Sequence, residues 1–197
     1  MITNILVLCG PTGSGKTFIA EMLSANDMGD YIVSSNPPVF HKPMQVTTRK
    51  QRDIEDCDSY LFLKSTDDYK SLNMDSKLTA KTYFNDNYYG TLMSNMIHGK
   101  NAWNVIVAST EGAADVINTF RNDSECNIKT AIILAEGDDG MINEHCRDIQ
   151  FFKNELFDLL QSPYDYYIPN YMDSRATLGD VLTRLGYDVK KGLWKEK

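Results

Sequence analysis

The sequence predicts an α/β fold in which a parallel sheet is covered by helices on both faces. Short apolar runs that favour buried strands alternate with segments of helical spacing, and this alternation is typical of parallel sheets. The first strand and helix of the series are Ile5 to Cys9 and Phe18 to Leu23, which a glycine-rich turn connects. A chain of 197 residues suits one domain with small insertions.

The connecting turn is a phosphate-binding motif. Residues 10–17 fit G-x-x-x-x-G-K-[ST] at every fixed position. Glycines let the backbone approach a phosphate, while the loop amides and the helix N-terminus supply a positive dipole. Lys16 adds a full charge, and the hydroxyl of Thr17 is placed to ligate Mg²⁺. An ordinary strand-to-helix turn would not require a lysine beside three glycines. We therefore expect a nucleotide-phosphate site made of Gly10, Thr12, Gly13, Ser14, Gly15, Lys16 and Thr17.

Composition narrows the class of protein. The formal net charge of −7 implies no broad basic surface for nucleic acid. The four cysteines are scattered without metal-binding spacing, which favours reduced thiols in the cytoplasm over a zinc site. The opening apolar run is too short for a signal peptide, and no run approaches the length of a membrane span. We expect a cytoplasmic protein that binds neither nucleic acid nor a membrane.

Further elements follow from the same periodicities. The first helix is expected to end between Asn26 and Gly29. The other strands predicted in this way are Tyr31–Val33, Trp103–Ala108 and Lys129–Ala135. The other predicted helices are Asp67–Leu72, Leu92–His98, Ala113–Arg121, one that carries Arg147 and runs on through Phe151 to Leu160, and Arg175–Leu185, after which residues 187–197 form a tail.

Two later segments carry polar side chains that suit a phosphate and a base. Arg49 and Arg52 lie three residues apart beside paired threonines, which makes a compact set of phosphate donors. Tyr88 and Tyr89 precede Gly90 and can supply a phenolic donor and a stacking face. On these residues alone a solvated basic turn is the favoured interpretation, and paired tyrosines are more often packing residues.

Together with the phosphate-binding loop, these segments resemble the guanylate kinase family of nucleoside monophosphate kinases. That family carries G-P-[ST]-G-x-G-K-[ST], then T-T-R-x-x-R, an acidic residue with D-Y-x-F, and Y-Y-G-[ST]. All four blocks have counterparts here in order, from the first strand to about Thr91, the third of them as Glu55 with Tyr60-Leu61-Phe62. The resemblance implies a three-layer P-loop NTPase fold with a parallel sheet. It also implies one domain over residues 1–197, with a core of 1–42 and 99–197, a monophosphate-binding insertion of about 43–98, and a short lid of about 137–147.

The resemblance also implies roles for particular residues. The acceptor phosphate would meet Arg49, Arg52, Tyr60 and Tyr89, with Thr48 in the same block. Glu55 would orient the arginines, and Thr91 would lie near the acceptor base. Tyr164–Asn170 resembles the last strand of the family, and Asn170 at its end would lie near the adenine of ATP. Arg147 on the lid would reach across the transferring phosphate.

The chain departs from the family where the base is read. The glutamate that usually precedes Y-Y-G and reads guanine falls on Ala80, although Glu55 and Asp86 are alternative base readers. At the end of the strand over 103–108, the family's acidic positions fall on Val107 and Ser109. Glu111 is either a relocated acidic ligand or a helix N-terminal acid that the helix dipole favours. We therefore expect weaker guanine discrimination than is usual in this family.

The expected reaction is ATP plus a nucleoside monophosphate giving ADP and the diphosphate, with GMP or dGMP as the favoured acceptor. ATP and Mg²⁺ would be required, and the protein would be a monomer or homodimer. Two alternatives stay open. The chain could be a catalytically weakened, guanylate kinase-like binding protein, or a P-loop kinase or switch that acts on another small molecule.

Overall fold

The computed structural model describes residues 2–11, 13–25, 31–33, 37–51, 60–135, 164–170, 174–187 and 189–191. The expected helix over 151–160 and the expected lid over 137–147 lie outside these residues. The described strands are β1 (Thr3–Cys9), β2 (Tyr31–Val33), β3 (Val39–His41), β4 (Gln45–Thr47), β5 (Tyr60–Phe62), β6 (Leu78–Phe84), β7 (Asn87–Leu92), β8 (Ala102–Val107), β9 (Cys126–Ala135), β10 (Tyr166–Asn170) and β11 (Val189–Lys191). The described α-helices are α1 (Lys16–Ser24), α2 (Thr66–Met74), α3 (Thr110–Phe120) and α4 (Ser174–Arg184).

A five-stranded parallel sheet forms the centre of the molecule, with strand order β10-β9-β1-β8-β3. Successive side chains of β1 point to opposite faces of this sheet. Leu6 and Leu8 pack in one core with Ile19 of α1 and Leu178 of α4, whereas Val7 packs in a second core under α3. Helices therefore cover both faces, and the predicted three-layer α/β fold is confirmed.

A smaller, four-stranded sheet is built between β3 and β8 of the chain. Its order is β5-β4-β7-β6, with β4 and β5 parallel and the other pairs antiparallel. Val46, Tyr69 of α2 and Leu78 form its own small core. The two sheets face each other across a cleft, whose walls are described below.

Four details of the predicted elements were wrong. Helix α1 ends at Ser24, before the expected boundary. Helix α3 begins at Thr110 rather than at Ala113, because the Ser109 hydroxyl accepts a hydrogen bond from the Gly112 amide and caps the helix. The predicted helix over 92–98 is only a 3₁₀ turn at Met93–Asn95. The predicted tail contains β11, which pairs antiparallel with β2. No helix among the described residues is long and apolar enough to cross a membrane.

The chain returns from the small sheet to the core through residues 93–101, which two buried asparagines hold. Asn104 of β8 accepts a hydrogen bond from the Ile97 amide and donates to the Ile97 carbonyl oxygen, both at 2.8 Å. Asn4 of β1 donates to the carbonyl oxygens of Gly99 and Ala102 at 2.9 Å. The Ile97 amide thus bonds to the side chain of Asn104 instead of a carbonyl four residues earlier, which is inconsistent with a helix that continues through residue 97.

Replacing Asn104 with alanine leaves two backbone groups of Ile97 without their partner. Because Asn104 is fully buried, we expect Asn104→Ala to lower the free energy of unfolding by about 2–4 kcal/mol. Urea denaturation measures this loss, with Asn118→Ala on the exposed face of α3 as the control. Equal stability of the two variants would contradict the assigned role of Asn104.

Candidate functional site

The phosphate-binding loop connects the carboxyl end of β1 to α1 and is packed against two neighbouring strands. Gly10 and Gly15 have φ values of 149° and 86°, in the region that favours glycine. A Cβ at Gly10 would collide with the carbonyl oxygen of Ile133, and one at Gly15 with the side-chain amide of Asn170. Both glycines are therefore required by the conformation and by the space around the loop.

The charged side chain of the loop is held over its backbone. The ammonium of Lys16 donates to the carbonyl oxygens of Gly10 at 2.8 Å and of Pro11 at 2.7 Å. Thr17 follows in the first turn of α1 and is exposed, whereas Ser14 is buried. The Ser14 hydroxyl has no hydrogen-bond partner within the described ranges. The loop thus joins a lysine ammonium, the start of a helix and an exposed hydroxyl, a set that suits phosphate and a phosphate-bound cation.

Asn170 lies at the end of β10 and contacts this loop. Its amide nitrogen donates to the carbonyl oxygen of Ser14 at 2.9 Å, and Thr177 of α4 donates to its amide oxygen at 3.3 Å. The family resemblance predicts that Asn170 lies near the adenine of ATP. These contacts make Asn170 a support for the loop, which no local sequence signal indicates, and its place near adenine stays a prediction.

On the other side of the cleft, the small sheet gathers three of the predicted phosphate-binding residues. The guanidinium carbon of Arg49 lies 5.5 Å from the ring centroids of both Tyr60 and Phe62, within cation–π range. Tyr89 meets Tyr60 edge-on, with ring centroids 6.4 Å apart. Parallel pairing of β4 with β5 and antiparallel pairing of β4 with β7 bring these residues together.

Tyr69 of α2 supports this aromatic wall from behind. Its hydroxyl donates to the carbonyl oxygen of Tyr89 at 2.8 Å, and its ring stacks on Tyr88 at 5.0 Å. Burial raises the pKa of Tyr69 to about 12, with the Asp115 carboxylate as a second cause. The hydroxyl therefore stays protonated and keeps donating at any physiological pH.

The cleft between the two walls has a volume of about 210 Å³. Gly10 and Lys16 line it on one side, and Tyr60 and Tyr89 on the other, so that the loop lysine and the aromatic wall face the same space. The remaining lining residues are Gln45, Ala80, Thr82, Phe84, Gly90, Val107, Ala108 and Ser109. Lys16 is the only one of these described lining residues with a formal charge at neutral pH.

Two of the predicted contact residues, Thr48 and Ser109, have structural partners in the protein, and a third, Thr91, is buried away from the cleft. The Thr48 hydroxyl accepts from the Tyr88 amide at 2.9 Å and joins the end of β4 to β7. Thr91 is fully buried, lies outside the cleft lining, and its hydroxyl has no partner among the described residues. Ser109 does line the cleft, but it also caps α3. Glu111 lies in the first turn of α3, which favours its interpretation as a helix N-terminal acid.

Ala80 lies in the cleft wall at a distortion of β6. The pairing of β6 with β7 shifts register between Thr79 and Thr82, and Ala80 has a φ of 54°. Asp115 of α3 stabilises this bulge, because its carboxylate accepts from the Lys81 amide at 3.1 Å and pairs with the Lys81 ammonium at 3.3 Å. The position at which a glutamate was expected therefore carries a methyl group in the lining.

Sequence reasoning missed three lining residues, namely Gln45, Thr82 and Phe84. Gln45 lies in a strand of only three residues, and Thr82 and Phe84 lie beyond a bulge that interrupts the alternation of β6. No motif marks them. The predicted site residues Thr12, Arg52, Glu55 and Arg147 lie outside the described residues.

The helix-covered parallel sheet and the phosphate-binding loop after β1 together define a P-loop NTPase fold, and comparisons with known proteins agree. No family model matches the chain. A guanylate kinase from Mycoplasmopsis pulmonis (strain UAB CTIP) is 28% identical over 133 residues, which are 66% of this chain. That match spans 63% of the relative's own length.

A crystal structure of guanylate kinase from Anaplasma phagocytophilum superimposes with a TM-score of 0.67 at 21% identity, covering 93% of this chain and 85% of that one. The chain is thus similar to guanylate kinases in sequence and in fold. The resemblance that its motifs predicted is confirmed.

Removal of the Tyr69 hydroxyl tests the support of the aromatic wall. We expect Tyr69→Phe to lower the free energy of unfolding by about 1–2 kcal/mol at pH 7, because the buried hydrogen bond to Tyr89 is lost. Tyr83→Phe, which removes an exposed hydroxyl, serves as the control and should change stability by less than about 0.5 kcal/mol.

The raised pKa of Tyr69 adds a pH dependence. The unfolded chain releases this proton near pH 10, whereas the folded protein holds it until about pH 12. The wild-type protein therefore loses stability as the pH rises through this window, and its advantage over Tyr69→Phe shrinks. An advantage that stays constant from pH 9 to 12 would show that the hydroxyl is not held as described.

Proposed function

We propose that this protein is an ATP-dependent nucleoside monophosphate kinase that transfers the γ-phosphate of ATP to GMP or dGMP. The observation that carries the proposal is the shared cleft, in which Lys16 of the phosphate-binding loop faces the tyrosine wall of the small sheet. A phosphate donor and a phosphate acceptor can meet only if their two sites open into the same space. The relatives named above are guanylate kinases, which supports the same assignment.

The chemistry requires positioning and charge neutralisation rather than a covalent intermediate. Oxygens of the acceptor phosphate are already nucleophilic, so no general base is needed. The Lys16 ammonium would exchange its carbonyl partners for phosphate oxygens of ATP, and Arg49 would hold the acceptor phosphate against Tyr60 and Tyr89.

Thr17 can serve as the one protein ligand that a nucleotide-bound magnesium ion needs. Its hydroxyl is exposed at the start of α1, beside the loop. Such an ion takes one or two protein oxygens and completes its shell with phosphate oxygens and water. Thr17 would therefore hold Mg²⁺, which supplies neutralisation of the phosphate charge when bound.

The other predicted groups complete this proposal on the strength of the sequence motifs. Arg52 would share the acceptor phosphate with Arg49, and Glu55 would orient both. Residues 43–98 would act as the acceptor-binding insertion, and residues 137–147 as a lid that brings Arg147 to the transferring phosphate.

The alternative classes have weaker support. A non-catalytic binding protein would not need a loop lysine aimed into the acceptor cleft, and a nucleotide switch would not need a second wall with Arg49 on two aromatic rings. A coupled assay of ADP release over GMP, dGMP, AMP, CMP, UMP and dTMP tests the assignment. Turnover with GMP and dGMP is expected, and no turnover with any of the six would contradict it.

Lys16→Ala tests the phosphate-binding loop. We expect kcat to fall by about 100-fold or more, because a key donor in such a site contributes roughly 3 kcal/mol to the transition state. Lys70→Ala removes an exposed lysine of α2 and should leave kcat unchanged. A folded Lys16→Ala protein that turns over at the wild-type rate would exclude Lys16 as the phosphate ligand.

Arg49→Ala tests the acceptor wall. We expect KM for the monophosphate to rise by about 10-fold or more, while KM for ATP changes little, because Arg49 lies on the acceptor side only. Arg49→Lys should recover part of the loss, since it keeps the charge but not the planar stacking. Arg121→Ala, which changes an exposed residue after α3, is the control. If Arg49→Ala and Arg121→Ala had the same KM for the monophosphate, Arg49 would be only part of a solvated turn.

A further inference from the structure

Helix α4 directs one buried hydroxyl towards the end of β10. The Thr177 hydroxyl donates to the amide oxygen of Asn170 and to the carbonyl oxygen of Pro169, both at 3.3 Å. Because a hydroxyl has one proton, this is a single donor shared between two acceptors. Thr177 is fully buried, and its neighbour Leu178 packs in the same apolar core as Ile19 of α1. The hydroxyl is therefore carried by a helix that is firmly packed against the rest of the fold.

The hydrogen bond from Thr177 determines which way the Asn170 amide faces. A side-chain amide has an oxygen that accepts and a nitrogen that donates. The proton of Thr177 draws the oxygen towards α4, so the nitrogen is directed to the carbonyl oxygen of Ser14, to which it donates at 2.9 Å. If the amide turned over, its oxygen would face the Ser14 carbonyl oxygen, and these two acceptors would have no proton between them.

The Ser14 carbonyl belongs to the peptide unit that leads into α1. A trans peptide unit is planar, and its carbonyl and its N–H point in opposite directions. The N–H of this unit is that of Gly15, so a carbonyl held against β10 aims this N–H away from β10. Gly15 is the N-cap of α1, and the N–H groups at this end of a helix have no partner within the helix. Such groups are the ones that bind a phosphate.

We propose that Thr177 is a positioning residue for the ATP phosphates. Through the amide of Asn170, it holds the peptide unit between Ser14 and Gly15 in the orientation that presents the Gly15 N–H to a phosphate. This inference rests on the proposed function, since it places ATP at the loop. The role is separate from the predicted place of Asn170 near adenine, because it concerns the phosphates and not the base.

Titration calorimetry with ATP and with inorganic tripolyphosphate tests the inference. Tripolyphosphate supplies the phosphates without a base. Thr177→Val keeps the shape of the side chain but removes the hydroxyl, so the Asn170 amide loses the bond that orients it. We expect both ligands to bind more weakly by the same factor, roughly 5-fold to 10-fold, and the Kd of GMP to change by less than about 2-fold. Weaker binding of ATP alone would place the effect at the base and overturn the inference.

Two matched variants separate this role from a general loss of structure. Thr177→Ser keeps the hydroxyl and should bring both affinities back to within about 2-fold of the wild type. Thr183→Val makes the same chemical change on the exposed side of the same helix, where the hydroxyl donates to the Gly179 carbonyl, and should leave both affinities unchanged. If Thr177→Val bound ATP and tripolyphosphate as Thr183→Val does, or lost ATP, tripolyphosphate and GMP equally, the inference would be wrong.

A second substitution tests whether Thr177 acts through Asn170. Asn170→Ala should weaken tripolyphosphate by about 5-fold or more, and adding Thr177→Val to it should cost less than about 2-fold further, because the connecting amide is already gone. A full additional loss would show that Thr177 acts by another route, such as the Pro169 carbonyl. If Thr177→Val does not fold, unchanged binding of tripolyphosphate by Asn170→Ala overturns the inference by itself.

The assay of ADP release, run on the same samples, separates this inference from the proposed function. Binding of ATP that depends on Thr177, without turnover of any monophosphate, would contradict the proposed activity and leave the role of Thr177 in place. Turnover of GMP with unchanged ATP affinity in Thr177→Val would do the reverse. A wild-type protein that binds neither ATP nor tripolyphosphate would overturn both.

Discussion

The candidate site depends on the close packing of the phosphate-binding loop against the carboxyl ends of β9 and β10. Gly10 leaves no room for a Cβ beside the Ile133 carbonyl, and Gly15 leaves none beside Asn170. The bond from Asn170 to the Ser14 carbonyl then fixes the loop to the sheet. A loop held in this way presents its backbone amides without rearrangement, and preorganised donors are the main source of catalytic power in phosphoryl transfer.

The site also requires that the small sheet keep its position relative to the central sheet across the cleft. Three polar links join them in the described residues that surround the site, and each uses a side chain. Gln45 donates to the carbonyl oxygen of Val107, the Thr82 and Ser109 hydroxyls pair, and Asp115 binds Lys81. Two of these links, those of Gln45 and of the Thr82–Ser109 pair, are made by residues that also line the cleft.

The sequence predicted those parts of the structure that repeat a period or a motif. Spacing predicted β1, β8 and β9 of the central sheet, the family resemblance indicated β10, and the motif predicted the position of Lys16, whereas β3 was not predicted. The sequence did not reveal which polar side chains face the cleft, because the orientation of each side chain depends on partners that are distant in the chain. Thr91 matches a motif yet is fully buried, whereas Gln45 matches none and lines the cleft. Asn170 contacts a loop about 150 residues earlier through its side chain, a pairing that local patterns do not encode.

The central claim is that one cleft brings a donor phosphate and an acceptor phosphate together. The most direct measurement is to incubate the protein with GMP and ATP labelled at the γ-phosphate, and to identify the labelled product by chromatography. Direct transfer between the two nucleotides in the shared cleft predicts that the label appears in GDP. Label that appears only as inorganic phosphate, or that stays on ATP when folded protein and GMP are in excess, would contradict it.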